Sequence, residues 1–460
     1  MTEQELFNVL ERYGQQHLLV HYRTLSRSQK DAVLRTAVSL DIHLTFRLYR
    51  EFCLGKDVGH TTAVIKPSGV IGIPGDAQEK RMAEQARLHG ESLLREGKAA
   101  VLVVAGGQGS RLGFEGPKGT YALSPVMNKT LFQLFAEQVK ALSVRYGTTI
   151  PLLIMTSDDN HPDTVAFFTK NHYFGLQSEK VHFFSQGVLP AVSQDGKLVL
   201  RDSAHLYTSP NGHGGSLKAI SDSGVLAKLI ASGCEELFYC QVDNPLVKIA
   251  DPIFLGYHAM AKSQASTKVV RRRNIEEKVG VYLNLNGKDA VIEYSDIDAN
   301  YMSALDEKGD ILYWAGNTAI HIFSLSFIGD LNRDGFALPY HCAKKTAYVV
   351  SSDWEPANID IWKFETFVFD AIPMAERTCC MEVSREEEFA PVKNKDGADS
   401  PETARRAMSE LHRTWLKQAG IDTPPGTKVE ISPLFALDAD EFVQKVKGRT
   451  INVSPEIYIE

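Results

Sequence analysis

One stretch of the chain, residues 98–120, constrains the fold more than any other: it reads KAAVLVVAGGQGSRLGFEGPKGT. Its continuous apolar run, residues 101–104, is typical of a buried parallel strand. Gly106, Gly107 and Gly109 follow at once. Because glycine carries no side chain, such a loop lets backbone N–H groups approach a phosphate closely. The sequence therefore predicts a strand that leads into a phosphate-binding loop.

Two cations, Arg111 and Lys118, stand on the same short segment. Arginine can bind phosphate oxygens in a bidentate manner, whereas lysine acts as a mobile point charge. Two common phosphate-binding motifs do not fit the segment. A dinucleotide fingerprint needs glycine where Leu112 stands, and a Walker A loop needs glycine where Pro117 precedes Lys118. We therefore expect a phosphate loop of another class.

The composition of the chain limits what kind of protein it can be. The chain has 460 residues, 43% of them hydrophobic, which is enough for a large core and two or three domains. Its 50 basic and 57 acidic residues give a net charge of −7, which argues against nucleic-acid binding. The six cysteines show no CxxC spacing, and we find no signal segment or membrane-length apolar run. We expect a cytoplasmic protein with reduced thiols and no membrane partner.

The pattern along the chain predicts three parts. Residues 1–97 are mostly helical, with capping boxes at Thr2 and Ser26 and an irregular connector at 54–76. Residues 98–375 alternate strands and helices, and polar residues follow several apolar strands, where open α/β sheets bind ligands. Residues 376–460 form a small, partly β domain, with a helix that starts at Ser400 and Pro401. The fold class is α/β, with a doubly wound nucleotide-binding sheet.

The motif AGGQGSRLG…PKG resembles that of the eukaryotic-type UDP-sugar pyrophosphorylases, most closely the UDP-N-acetylhexosamine branch. The resemblance implies a Rossmann-like mixed sheet of the glycosyltransferase-A kind. It also implies transfer of UMP from UTP to a sugar 1-phosphate, with release of pyrophosphate and with Mg²⁺ as cofactor. The implied partners are these small molecules, and the implied assembly is a monomer or a weak homo-oligomer.

The resemblance also assigns site residues, motif by motif. A glutamine at a strand end suits uracil because it offers a donor and an acceptor in one plane, and a strand-end aspartate suits Mg²⁺. The implied roles are catalytic for Arg111, Lys118 and Lys393, and metal-binding for Asp243. Those implied for the nucleotide are Gly106, Gly107, Gly109, Gln186, Gly212 and His213, and those for the sugar are Gly280, Glu293, Asn317, Lys363, Phe367 and Phe369.

Each assignment has a plainer structural alternative. Asp243 could cap a helix, the two phenylalanines could be core, and the lysines could be solvated surface charges. His213 stands where the N-acetylhexosamine enzymes usually carry asparagine, and this GHG loop and TSDDNH at 156–161 favour UDP-glucose or broad UDP-sugar synthesis. The segments EYSDI and WAGNTAIHIF favour the N-acetylhexosamine branch. A binding paralogue without activity also stays open, and we interpret the run at 271–273 as solvated.

Overall fold

The protein is described here from a computed structural model that covers residues 2–55, 64–352 and 354–460. Helices and strands alternate along much of this part of the chain. The strands are β1 (Ile65–Lys66), β2 (Ala99–Val104), β3 (Leu152–Thr156), β4 (Val181–Ser185), β5 (Val188–Pro190), β6 (Val192–Ser193), β7 (Leu200–Asp202), β8 (His205–Leu206), β9 (Thr208–Pro210), β10 (Glu236–Gln241), β11 (Ala265–Arg271), β12 (Val281–Leu285), β13 (Lys288–Ile292), β14 (Ala315–Ser324), β15 (His341–Val350), β16 (Pro356–Glu365), β17 (Thr378–Glu382), β18 (Lys428–Ile431) and β19 (Glu456–Ile459). The α-helices are α1 (Glu3–Arg12), α2 (Gln16–Thr24), α3 (Arg27–Ser39), α4 (Ile42–Tyr49), α5 (Ala77–Arg95), α6 (Leu131–Tyr146), α7 (His161–Lys170), α8 (Gly215–Asp222), α9 (Val225–Ala231), α10 (Pro252–Met260), α11 (Ala299–Met302), α12 (Leu325–Asn332), α13 (Arg385–Glu388), α14 (Pro401–Gln418) and α15 (Ala439–Val446).

The chain forms two compact units, each built from three separate stretches. The first contains residues 1–63, 186–219 and 336–370, and the second contains the remainder. These borders differ from the predicted domain boundaries at 97/98 and 375/376. The division into three functional domains stays a prediction.

The second unit is organised around a ten-stranded mixed sheet, with strand order β1-β12-β14-β10-β2-β3-β4 and with β11, β13 and β17 attached. Strands β10, β2, β3 and β4 are parallel neighbours, and β14 pairs antiparallel with β10. The apolar run of β2 is buried in the middle of the sheet, as predicted, because β2 lies between β10 and β3. Phe132, Phe135 and Phe254, from helices α6 and α10, are fully buried in the same core. The predicted α/β sheet is confirmed.

The first unit packs α1 to α4 against a five-stranded sheet, in the order β6-β16-β15-β7-β8. Leu6, Tyr22, Phe46 and Phe364 lie in its core. The predicted capping boxes at Thr2 and Ser26 are both present, which confirms a helical N-terminal segment.

The end of the chain contributes a parallel pair, β18 and β19, with α14 and α15 packed around Trp415 and Phe442. Ser400 caps α14 and Pro401 occupies its first turn, as predicted. The predicted connector at 54–76 lies partly outside the described residues, and its described part contains β1, which pairs with β12. None of the described helices combines the length and the apolar character that crossing a membrane requires.

Candidate active site

The glycine-rich loop after β2 folds back on itself. Gly109 N donates to Gly116 O at 2.9 Å, and Lys118 N donates to Gly107 O at 3.1 Å. Gly107 is exposed, and a Cβ at that position would meet no atom within 4 Å. Within the described part of the chain, the amide groups of Gly107 and Gln108 donate to no other group. The loop therefore presents backbone donors beside open space, which is the arrangement that binds phosphate.

The side chain of Lys118 approaches two groups that are far from it in the sequence. Its Nζ donates to Val392 O at 3.3 Å and lies 4.0 Å from Asp243 Oδ2. Gly119, the next residue, could not carry a side chain, because a Cβ there would lie 2.2 Å from the Phe132 ring. The 3₁₀ turn Lys118–Thr120 is thus packed directly on helix α6, so the lysine starts from a fixed backbone.

Asp243 lies just after β10 and is hydrogen-bonded to the segment that precedes α14. Val392 N donates to Asp243 O at 2.8 Å, and Asn244 Nδ2 donates to Glu388 O at 2.7 Å. Asn244 Oδ1 accepts from Ala390 N at 3.1 Å. These bonds hold residues 388–392 beside the strand end, so that Lys393, which is exposed, follows directly after a residue bound to Lys118. Asn244 was not among the predicted site residues, although it directly follows the predicted metal ligand Asp243.

Arg111 lies in the 3₁₀ turn Ser110–Leu112 of the glycine-rich loop. Its side chain is exposed and forms no hydrogen bond or ion pair with the described residues. An exposed guanidinium on the glycine-rich loop, without a partner among the described residues, is available to an anionic ligand.

Asn160 was not among the predicted site residues either, because the segment TSDDNH at 156–161 was interpreted only as an indication of the sugar. The residue follows β3 and is fully buried. Its Nδ2 donates to Ala105 O at 3.0 Å and to Gly107 O at 3.4 Å. An asparagine 53 residues from the loop in sequence therefore braces the loop's backbone.

Three predicted sugar-binding residues come together where β12, β13 and β14 meet. Asn317 N donates to Gly280 O at 2.8 Å, and a Cβ on Gly280 would lie 3.5 Å from Glu293 Oε1. Asn317 Oδ1 accepts from Ala319 N at 3.0 Å, and Ala319 adopts a positive φ of 57°. This irregularity in β14 turns the strand at Asn317. Gly280 is thus hydrogen-bonded to the Asn317 backbone and lies near the Glu293 carboxylate.

The first unit contains the other predicted residues, and two of them, Phe367 and Phe369, lie beside His213. Its Nδ1 accepts from Val368 N at 3.1 Å, and its ring stacks on Phe367 with a centroid distance of 5.4 Å. Gly212 has a φ of 85° and lies so close to Thr366 O that a Cβ would be 2.3 Å away. Burial lowers the pKa of His213 to about 4, so the ring is neutral near pH 7 and carries its proton on Nε2. The imidazole can therefore act as a neutral hydrogen-bond donor.

The remaining predicted residues of this unit differ in accessibility. Phe369 is only 3% exposed and belongs to the core, whereas Phe367 is half-buried. Lys363 Nζ donates to Glu365 Oε1 at 2.7 Å on β16, so its charge is already paired. Gln186 is 8% exposed, and its amide forms no hydrogen bond within the described part of the chain. Of these, Gln186 has the polar group best placed to accept a ligand.

The predicted solvation of residues 271–273 is wrong for Arg272. Its side chain is buried and donates to the carbonyl oxygens of Met302, Tyr313 and Ile275, at 3.1, 3.3 and 2.7 Å. Burial lowers its pKa. Arg272 is therefore a structural cation that ties β11 to the neighbouring loops.

The donor set at Asp243 is compatible with magnesium. No cluster of three or more histidine, cysteine or acidic side chains that could hold a metal occurs among residues 2–55, 64–352 and 354–460. Mg²⁺ commonly takes one or two carboxylates and completes its shell with water and substrate phosphates. A single carboxylate beside the glycine-rich loop fits that requirement, whereas a zinc site would need more protein ligands.

Comparison with known proteins adds independent information. A model of the UTP–glucose-1-phosphate uridylyltransferase family matches residues 70–458. The chain is 35% identical to the UDP-N-acetylglucosamine diphosphorylase 2 of Arabidopsis thaliana, over 99% of this chain and 94% of that protein. It is 33% identical to the UDP-N-acetylglucosamine pyrophosphorylase of Saccharomyces cerevisiae, over 96% of each.

A solved structure shares the fold. The uridine diphosphate N-acetylglucosamine pyrophosphorylase of Trypanosoma brucei superimposes with a TM-score of 0.83 over 100% of this chain and 98% of that one, at 24% identity. The family match covers most of the chain, and the relatives are aligned over nearly their full length. The chain belongs to the UTP–glucose-1-phosphate uridylyltransferase family.

Proposed function

We propose that the protein transfers a uridylyl group from UTP to N-acetylglucosamine 1-phosphate, forming UDP-N-acetylglucosamine and pyrophosphate. The observation that carries this proposal is the placement of Lys118. Its ammonium lies between the Asp243 carboxylate and the Val392 carbonyl, next to a loop with open backbone donors. The names of the relatives support the N-acetylated sugar as acceptor.

The reaction needs no protein nucleophile. An anionic oxygen of the sugar 1-phosphate attacks the α-phosphorus of UTP, and the bond from that phosphorus to the oxygen bridging to the β-phosphorus breaks. The electron pair leaves with pyrophosphate, and no proton has to move. Catalysis is then a matter of position and charge, as in other phosphoryl transfers.

Different groups of this chain would position the substrates and neutralise their charge. The loop amides of Gly107 and Gln108 bind the phosphates of UTP, while Arg111 and Lys118 stabilise the charge that develops as pyrophosphate leaves. Lys393 binds the sugar phosphate. Asp243 would hold Mg²⁺, which supplies positive charge to the phosphate oxygens when it is bound.

Recognition of the two organic groups falls to other residues. The free amide of Gln186 can pair with the imide edge of uracil, since it offers both a donor and an acceptor. Gly212 and His213 would lie against the nucleoside, and Gly280, Glu293 and Asn317 against the sugar. Sugar-binding roles are also proposed for Lys363, Phe367 and Phe369, of which Phe369 would act from within the core. We further propose a cytoplasmic monomer or weak homo-oligomer.

The second candidate function is UDP-glucose or broad UDP-sugar synthesis. The description of the matching family names glucose 1-phosphate, and His213 forms the GHG loop that favours this function. A sugar-nucleotide binding protein without turnover is the non-enzymatic alternative.

Pyrophosphate release from UTP and Mg²⁺ separates these functions. N-acetylglucosamine 1-phosphate, glucose 1-phosphate and galactose 1-phosphate are compared at equal concentration, with a reaction lacking sugar phosphate as control. We expect kcat/KM to be highest with the N-acetylated sugar. Preference for glucose 1-phosphate, or equal use of all three, would favour the second candidate. Absence of release with every sugar, despite measurable UTP binding, would favour the binding protein.

A further inference from the structure

Asn160 links the end of β3 to the glycine-rich loop. The residue is fully buried, and its side chain reaches Ala105 O at 3.0 Å and Gly107 O at 3.4 Å. Ser157 N donates to its Oδ1 at 2.8 Å. Since a carbonyl can only accept and a backbone N–H can only donate, these partners fix the orientation of the amide.

The usual reason for asparagine at this position does not apply. Asn160 immediately precedes α7, where asparagine commonly caps the helix. Here its side chain makes no capping bond to α7. Its hydrogen-bonding capacity is directed instead at the loop and at Ser157.

The peptide between Gly107 and Gln108 is the part of the loop most affected. Its carbonyl oxygen accepts from both Lys118 N, at 3.1 Å, and Asn160 Nδ2, at 3.4 Å. In a trans peptide the carbonyl and the N–H point in opposite directions. A carbonyl held by these two donors therefore directs Gln108 N–H to the other side, where it has no partner among the described residues.

We propose that Asn160 is a positioning residue, which orients the Gly107–Gln108 peptide so that its N–H faces the triphosphate of UTP. The inference rests on the proposed function, because it takes UTP as the ligand of the loop. Asn160 itself does not contact the substrate in this proposal. Its effect passes through the backbone that the side chain holds.

Two substitutions and one control test the inference. Asn160→Asp keeps the acceptor for Ser157 N but replaces both donors with oxygen, and Asn160→Ala removes all three bonds. Asn171→Ala is the matched control, since Asn171 Nδ2 donates to a single carbonyl, Phe167 O, at 2.8 Å, at the far end of α7. Asn160→Ser, which retains an acceptor, serves if the first two variants do not fold.

We expect the KM and the Kd for UTP to rise about tenfold in the Asn160 variants, the loss that follows from one or two hydrogen bonds. The KM for the sugar 1-phosphate and kcat should stay within about threefold, since the loop amides would contact UTP alike in the ground state and in the transition state. Asn171→Ala should match the wild type in all of these. A merely structural asparagine would lower the melting temperature without this selective effect on UTP.

The outcomes separate the two proposals. Unchanged UTP Kd and KM in a folded Asn160 variant would overturn the positioning role while turnover by the wild type continues. Absence of turnover by the wild type would overturn the proposed function, and the UTP Kd, measured by calorimetry, would still decide the role of Asn160.

Discussion

Lys118 Nζ lies 4.0 Å from Asp243 Oδ2, and only 15% and 14% of the two side chains are exposed. One residue comes from the glycine-rich loop after β2, and the other comes from the end of β10, the strand that pairs parallel with β2. Opposite charges at this distance stabilise each other, and together they offer a cation to phosphate and a carboxylate to metal. We therefore expect substitution of either residue to change the catalytic behaviour of the protein.

Replacing Lys118 with alanine should lower kcat by roughly 10²- to 10³-fold, the usual cost of removing one group that stabilises transition-state charge. The melting temperature should change little, because the lysine makes one carbonyl contact and one distant ion pair. Lys308→Ala, in an exposed turn, is the control. Steady-state kinetics at saturating UTP check the prediction, and a kcat equal to that of the wild type would refute the assignment.

Replacing Asp243 with asparagine should raise the half-saturating Mg²⁺ concentration at least about tenfold, since the variant loses the carboxylate that would hold the ion. The backbone bond from Val392 N to Asp243 O remains, so the position of Lys393 should be preserved. Asp334→Asn, which is exposed, is the control. Titration of activity with Mg²⁺ gives the answer, and an unaltered Mg²⁺ requirement would exclude this residue as the ligand.

Stability should fall as the pH drops from about 6.5 to about 4. Burial lowers the pKa of His213 and of His412 to about 4, whereas in the unfolded chain each titrates near its ordinary value. Between these values the unfolded state binds more protons, so acid favours unfolding. Each histidine should contribute about 2 to 3 kcal/mol to this loss.

The variant His213→Gln should flatten the pH dependence of stability. Urea unfolding of the variant across this pH range is compared with the wild type and with His89→Gln, an exposed control on α5. An equal slope for His213→Gln and the wild type would show that folding does not lower the pKa of His213.

The fully buried ammonium of Lys268 should be essential for stability. Its Nζ lies 2.7 Å from Asp251 Oδ2 and 2.6 Å from Glu388 Oε2. Lys268→Met would remove the cation that directly contacts both buried carboxylates, at a cost of about 3 to 5 kcal/mol in the free energy of unfolding. Lys248, which is 3.7 Å from the same glutamate but 35% exposed, provides the control Lys248→Met, with a smaller loss. Adding Asp251→Asn and Glu388→Gln to Lys268→Met should recover part of the stability, and a failure to do so would contradict an electrostatic cause.

Much of this architecture could be predicted from local patterns. The run at 101–104 and the caps at Thr2, Ser26 and Ser400 depend on neighbours within a few residues, and all are present. Arg272 shows where such reasoning fails. Its two arginine neighbours suggested a solvated run, but the middle side chain, which directly follows β11, is buried, and carbonyl groups distant in the sequence bind it.

The sequence by itself determined the fold class, the glycine-rich loop after β2 and the family, because glycine spacing and apolar periodicity are local properties of the chain. Only the tertiary structure decided which distant residues hold that loop and its lysine. Asn160 reaches Gly107, and Val392 reaches Lys118, across 53 and 274 residues. The physical reason is that a hydrogen bond depends on distance and direction in space, and residues far apart in the chain acquire these only when parallel strands bring their carboxyl ends to one edge of the sheet.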